Sequence, residues 1–172
     1  DSLIQLYANS LDWDWRLLAS QVYQESRFNP SATAWTNARG LMQLMPNTAE
    51  ELGVMDPENP EESLKGGVRY LKQLSAAFER IPDSTDRIKF TLAAYKCGLG
   101  HVEDARRLAA SRGLDPNCWE DNVDQVILGL SYPKNYNDPL VQYGYLRGIE
   151  PYRYVRQILE RYRHYASFVP SG

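Results

Sequence analysis

The sequence predicts an all-α domain, and three observations carry that prediction. Apolar residues recur at three- and four-residue spacing along long runs, as at Leu64, Val68, Leu71 and Leu74. No run keeps the strict apolar–polar alternation of a half-buried strand. Clusters of Gly, Pro, Asn and Asp cut the chain into pieces of helical length.

Taken in order, Leu3, Leu6 and Tyr7 suit the apolar face of a short first helix. A second helix runs from about Trp13 to Glu25, with Asp12 or Asp14 as its cap. Asn29-Pro30 stops it, because proline disfavours helix at the residue before it. Asn29 to Arg39 is then a long polar loop with room for a very small hairpin. Asn47–Leu52 is a short helix closed by Gly53. A long helix opens at Pro60 or Glu61, and its stripe continues through Phe78 and Ile81. Gly66 and Gly67 sit inside it at about 1 kcal/mol each against alanine, which suggests a close neighbour. After a break at Pro82-Asp83-Ser84, a helix from about Thr85 to Cys97 turns Ile88, Leu92 and Tyr95 inward. A further helix holds Val102, Ala105 and Leu108 and stops at Gly113. Val123, Val126, Ile127 and Leu130 make one more amphipathic segment. Ser131 to Gly148 reads as an ordered loop, and the last helix follows Pro151 with Val155, Ile158, Leu159, Tyr162 and Ala166 inward. No linker or repeat interrupts the chain, so residues 1–172 are expected to form a single domain.

Composition narrows the functional classes. Charged residues make up 24% and hydrophobic ones 43%, as in ordinary globular proteins. A net charge of -3 offers no basic excess for nucleic acid. No apolar run is long enough to span a membrane. The chain does not begin with Met, so it reads as a fragment of a longer protein. Cys97 and Cys118 leave a disulfide open, since two cysteines alone do not fix pairing. Neither lies at metal-site spacing, and the histidines, His101 and His164, are far apart.

Glu25 is the residue that needs a function. Leu18, Val22 and Glu25 fall on one helical stripe, which sets a carboxylate in line with the apolar face. Burial disfavours a charged carboxylate and so can keep it protonated, as a general acid must be. A glutamate bent away to solvent is the alternative on spacing alone. Beyond the loop, Gln43 stands among Leu41, Met42, Leu44 and Met45, where its amide needs a protein or ligand partner.

Glu25-Ser26-Arg27-Phe28-Asn29-Pro30 and Ala38-Arg39-Gly40-Leu41-Met42-Gln43-Leu44-Met45-Pro46 together resemble the lytic transglycosylase domain of the goose-type lysozyme superfamily. Ala93-Ala94-Tyr95-Lys96-Cys97-Gly98-Leu99-Gly100 and Tyr143 to Val155 extend the resemblance over most of the chain, and the ending is similar to the membrane-bound F type. The resemblance implies a lysozyme-like α fold, a peptidoglycan glycan strand as substrate and no cofactor. It makes Glu25 the catalytic acid and base. Ser26, Gln43, Met45, Tyr95 and Tyr154 would contact the sugar, with Tyr95 facing Glu25. Glu150 and Ala94 would support the site; for Glu150 the favoured role is to hold a tyrosine or backbone donors. It also implies a cell-envelope location, an outer-membrane anchor and a regulatory solute-binding-like domain elsewhere in the full protein.

Three positions depart from the family pattern. Ala34 stands where a serine is usual, Asn37 where glycine is common, and Lys96 where an asparagine follows the tyrosine. Lys96 adds a cation near the site, or is an ordinary surface lysine. Between Arg27 and Thr48 there is no Asp or Glu, whereas ordinary glycosidases use two carboxylates. The resemblance implies that Glu25 then moves the same proton twice and leaves a 1,6-anhydro sugar. A hydrolytic goose-type muramidase and a non-catalytic glycan-binding module are the competing readings.

Overall fold

The structure, a computed structural model, describes residues 2–172. Among these residues the chain is helical, with no strand, as the periodicity predicts. The α-helices are α1 (Ser2–Asn9), α2 (Trp15–Ser26), α3 (Pro46–Glu51), α4 (Pro60–Ala76), α5 (Ser84–Cys97), α6 (Leu99–Ser111), α7 (Asp124–Leu128), α8 (Pro133–Tyr136) and α9 (Ile149–Phe168). The chain divides into two compact units. One holds the residues up to Lys72 together with Gln157–Gly172, and the other holds Gln73–Arg156.

In the first unit α1 packs on α2, but not with the face the spacing suggested. Ile4 and Ala8, four apart, are buried, while Leu6 is 60% exposed. Tyr7 is half-buried and its hydroxyl reaches Glu61 Oε1 at 3.1 Å. Of the two cap candidates for α2, Asp14 does the work: its Oδ1 accepts the Arg16 backbone N–H at 2.9 Å. Trp13 therefore lies before the helix. The same carboxylate pairs with the Arg16 guanidinium at 2.6 Å and accepts the Tyr162 hydroxyl at 3.2 Å.

Those partners, the Arg16 side chain first, hold the Asp14 carboxyl below the usual carboxylate range. A lowered folded-state pKa contributes stability above the unfolded value, and that stability is lost as pH falls through the folded value. Asp14→Ala is therefore expected to destabilise by about 1–2 kcal/mol at neutral pH, from the lost cap together with the part-buried Arg16 pair. Denaturant titrations should show this gap closing below about pH 4. A gap of constant size down to pH 2 would rule the linkage out.

Leu64, Val68 and Leu71 of α4 are buried as predicted. The glycines beside them explain themselves by contact. A Cβ at Gly66 would stand 2.3 Å from Val54 Cγ2, and one at Gly67 would stand 2.7 Å from Met42 Cγ. The weak helix formers are what let residues 42 and 54 seat against the helix backbone.

In the second unit Phe78 and Ile81 are buried as the stripe requires, but from turns, because α4 stops at Ala76. Asp83 caps α5 through the Thr85 N–H at 2.7 Å. Phe90 stacks on Phe78 at 5.5 Å and meets the Trp119 ring edge-on at 5.5 Å. The Arg106 guanidinium lies 5.4 Å from the Phe90 centroid, covering this aromatic core. Leu92 is fully buried, while Ile88 and Tyr95 are only half-buried. Val102, Ala105 and Leu108 of α6 are buried, and so are Val123, Val126, Ile127 and Leu130.

The 131–148 segment is not all loop: Pro133 starts the one-turn helix α8. The last helix begins at Ile149, three residues earlier than expected, because proline is tolerated in a first turn whose N–H groups have no helical partner. Ala166 near its end is exposed rather than inward. The disulfide left open by the sequence is not formed. Cys97 and Cys118 are free thiols, turned to the carbonyls of Gly98 at 3.7 Å and Glu120 at 3.6 Å. Burial pushes the Cys97 thiol up to about 12, so it stays protonated.

Candidate active site

Leu18 and Val22 are fully buried, and Glu25, one turn further along the same stripe, is half-buried. Glu25 thus lies in the last turn of α2, as a half-buried residue. Ser26 follows, buried, with its hydroxyl donating to Val22 O at 3.0 Å.

The chain then turns under strain. Arg27 (φ 52°) and Phe28 (φ 62°) are both left-handed, although neither is glycine. Such residues cost on the order of 1 kcal/mol or more each and persist only where their surroundings hold them. Here the Arg27 N–H bonds Tyr23 O at 2.9 Å, and the Phe28 ring meets Tyr23 edge-on at 5.8 Å. Tyr23 is held in turn by the Arg161 guanidinium, 4.4 Å from its centroid.

The loop that follows is knitted by its backbone. The expected hairpin shrinks to two isolated antiparallel bridges, Thr33 with Arg39 and Arg39 with Leu44. Ala34 and Ala38 close a turn, Ala34 N–H to Ala38 O at 2.9 Å, and Asn37 takes φ 73° within it. That backbone accounts for a glycine being common there, and Asn is the side chain that best tolerates it. Trp35 at the tip is 96% exposed. Gly40, at φ 84°, admits no side chain: a Cβ would fall 1.9 Å from Pro57 O.

Gln43 has a protein partner. Its Nε2 donates to Ala32 O and Gly40 O, both at 3.0 Å, and its own backbone is left-handed at φ 50°. The amide thereby pins the loop that returns from Asn29. Met45 is 45% exposed and precedes Pro46 at the start of α3. Glu50, the next carboxylate along the chain, lines a hollow of about 360 Å³ with Asn37, Arg39 and Pro46. Among the described residues no group of three or more His, Cys, Asp and Glu side chains could hold a metal ion.

The other sequence-derived site residues belong to the second unit. Ala94 is fully buried and Tyr95 half-buried at the end of α5. Lys96 is exposed, and its Nζ lies 5.7 Å from the ring centroid of Tyr154, itself buried. These two residues are therefore neighbours, which their separation of 58 positions in the sequence does not reveal. Glu150, exposed at the start of α9, meets the Arg147 guanidinium at 3.4 Å.

Residues 2–116 match the family described as Transglycosylase SLT domain. The chain belongs to that family. The SLT match includes Glu25, the 29–45 loop and Tyr95, and ends before Glu150 and Tyr154. Three relatives are each named membrane-bound lytic murein transglycosylase F. The protein of Maricaulis maris (strain MCS10) is 46% identical over 161 residues, 92% of this chain and 34% of the relative. That of Desulfosudis oleivorans is 42% identical over 160 residues, 93% of this chain and 35% of the relative. That of Serratia proteamaculans (strain 568) is 47% identical over 160 residues, 91% and 31%. The chain thus spans about a third of the length of these relatives. Among the described residues, no helix of this SLT chain is long and apolar enough to cross a membrane.

Proposed function

We propose that this chain is the catalytic domain of a peptidoglycan lytic transglycosylase. It cleaves the β-1,4 bond between N-acetylmuramic acid and N-acetylglucosamine, with Glu25 as the one acid and base. The observation that carries this reading is a half-buried glutamate on the stripe of Leu18 and Val22, followed by a loop with no second acid from Arg27 to Thr48. Family membership and the relatives' names support the substrate class.

In the first step the protonated Glu25 gives its proton to the glycosidic oxygen as the C1–O bond breaks. The acetamido oxygen of the same muramoyl residue meets the positive charge at C1. In the second step the Glu25 carboxylate takes the proton of the C6 hydroxyl while O6 bonds to C1 and the acetamido oxygen leaves. The proton returns to Glu25, a 1,6-anhydromuramoyl end results, and no water is consumed. A single acid–base group contributes about 10²–10⁴-fold, so positioning by Gln43, by the backbone at Met45 and by the loop must supply the remainder. Ser26, whose hydroxyl donates to Val22 O, keeps only acceptor capacity for a sugar hydroxyl. Tyr95, Tyr154 and Lys96 are assigned to the sugar by resemblance.

Product masses test the reading. Digestion of purified peptidoglycan is expected to yield muropeptides one water lighter than hydrolysis products. Reducing ends in their place would make the chain a muramidase, and binding without any product would make it a glycan-binding module. The relatives' membrane-bound name supports placing the full protein, about three times longer, in the cell envelope; its attachment at the periplasmic face of the outer membrane is assigned by resemblance. We also assign it a regulatory solute-binding-like domain.

A further inference from the structure

Four tyrosines fall within residues 131–148. Three of them are left largely in water, Tyr132 at 60% exposed, Tyr143 at 60% and Tyr145 at 58%, and the last two lie two residues apart. The backbone beneath them is nonetheless fixed. Asp104, fully buried in α6, accepts the backbone N–H groups of Gln142 at 2.8 Å and Tyr143 at 2.9 Å. Arg107 pairs with the same carboxylate and donates to Leu140 O at 3.2 Å. At the far end Leu146 N–H bonds Leu130 O at 3.1 Å.

The rings are held as well. A Cβ at Gly100 would stand 2.7 Å from Tyr143 Cε2, so the bare backbone there is the seat of that ring. His101 meets the same ring at 6.3 Å, and Tyr136 meets Tyr145 edge-on at 5.9 Å. Each ring is therefore supported from one side while more than half of the side chain stays exposed. Nothing in the proton transfers of Glu25 uses either of them.

We propose that Tyr143 and Tyr145 form a stacking surface for the pyranose rings of a glycan strand, a contact region additional to the Glu25 loop. This rests on the glycan substrate proposed above. Two residues apart, their Cα atoms lie within about 7 Å of each other, enough to serve one sugar or two neighbouring ones. A β-1,4-linked pyranose offers a flat face of C–H bonds with hydroxyl and acetamido groups at its rim. A tyrosine answers both, with an apolar ring and a polar tip. A ring already held loses little freedom on binding. A protein partner would call for a continuous apolar centre depleted of charge, and here polar residues, Asp138, Gln142 and Arg147, flank the two tyrosines in sequence.

The test measures retention, not turnover. In a Glu25→Gln background, co-sedimentation with purified insoluble peptidoglycan gives the affinity of each variant. Tyr143→Ala and Tyr145→Ala are each expected to weaken it about three- to tenfold, as for the loss of one aromatic contact. Tyr143→Phe, which keeps the ring, should bind within about twofold of its parent, and melting should be unchanged in all three because the side chains are exposed. Parental affinity in both alanine variants would overturn the proposal and mark the tyrosines as a face covered by protein. Equal losses in Tyr143→Phe and Tyr143→Ala would overturn it too, since stacking would not be the cause. Failure of the Glu25 chemistry would appear in product masses and leave this readout untouched.

Discussion

Glu25→Gln is expected to lower turnover of purified peptidoglycan by about 10²–10⁴-fold, the usual contribution of one acid–base group. Melting should stay within about 2 °C of the parent. The substitution keeps the shape of the side chain and a carbonyl acceptor, so the end of α2 and the strained turn at Arg27 and Phe28 keep their packing. What disappears is the proton. With no other carboxylate from Arg27 to Thr48, no neighbour in that loop can take over the transfer. Glu25→Asp should also be severely impaired, because withdrawing the acid by one methylene misplaces it by more than 1 Å, a shift worth about 10²-fold. Full activity in Glu25→Gln with unchanged melting would falsify the assignment. Activity in the aspartate alone would retain the acid and discard the strict positioning.

The sequence announced Glu25 because a charge on an apolar stripe is out of place, and burial of Leu18 and Val22 bears the stripe out. Asp104 sends the same signal. It lies four residues before Leu108, on the buried side of α6, yet Val102, Ala105 and Leu108 alone read as the face. Periodicity treats an aspartate as outward by default, and only the carboxylate's two backbone donors explain its burial. The long helices were legible because their faces repeat over several turns. The face of α1 was not, since in eight residues Ile4 and Ala8 compete with Leu3, Leu6 and Tyr7 on nearly equal terms. Residues 131–148 could not be read by period at all. Their order comes from side chains reaching backbone groups: Asp104 and Arg107 as above, and Asn135 Nδ2 to Gly129 O at 2.8 Å. The neighbourhood of Lys96 and Tyr154 was hidden for a related reason, because it depends on where α9 returns to α5 within the second unit.

Asp104→Ala is expected to destabilise the protein by about 2–4 kcal/mol, most of it from backbone donors left without their acceptor. The loss has two parts. The N–H groups of Gln142 and Tyr143 lose their acceptor, and a backbone donor left unsatisfied costs about 1–3 kcal/mol. Arg107, one-third exposed, loses its carboxylate but can turn toward water, so its share is the smaller one. Asp104→Asn should recover only part of the stability, since one acceptor oxygen becomes an NH2 group that faces donors. Denaturant midpoints measure the total, and hydrogen exchange locates it. The amides of Gln142 and Tyr143 should lose protection first, while those of α2 at the other unit's core keep theirs. Loss spread evenly over both units would mean that Asp104 holds up the fold as a whole. Loss confined to residues 138–146 identifies it as the peg on which the tyrosine segment hangs, and then glycan retention should fall with it even though no ring has been removed.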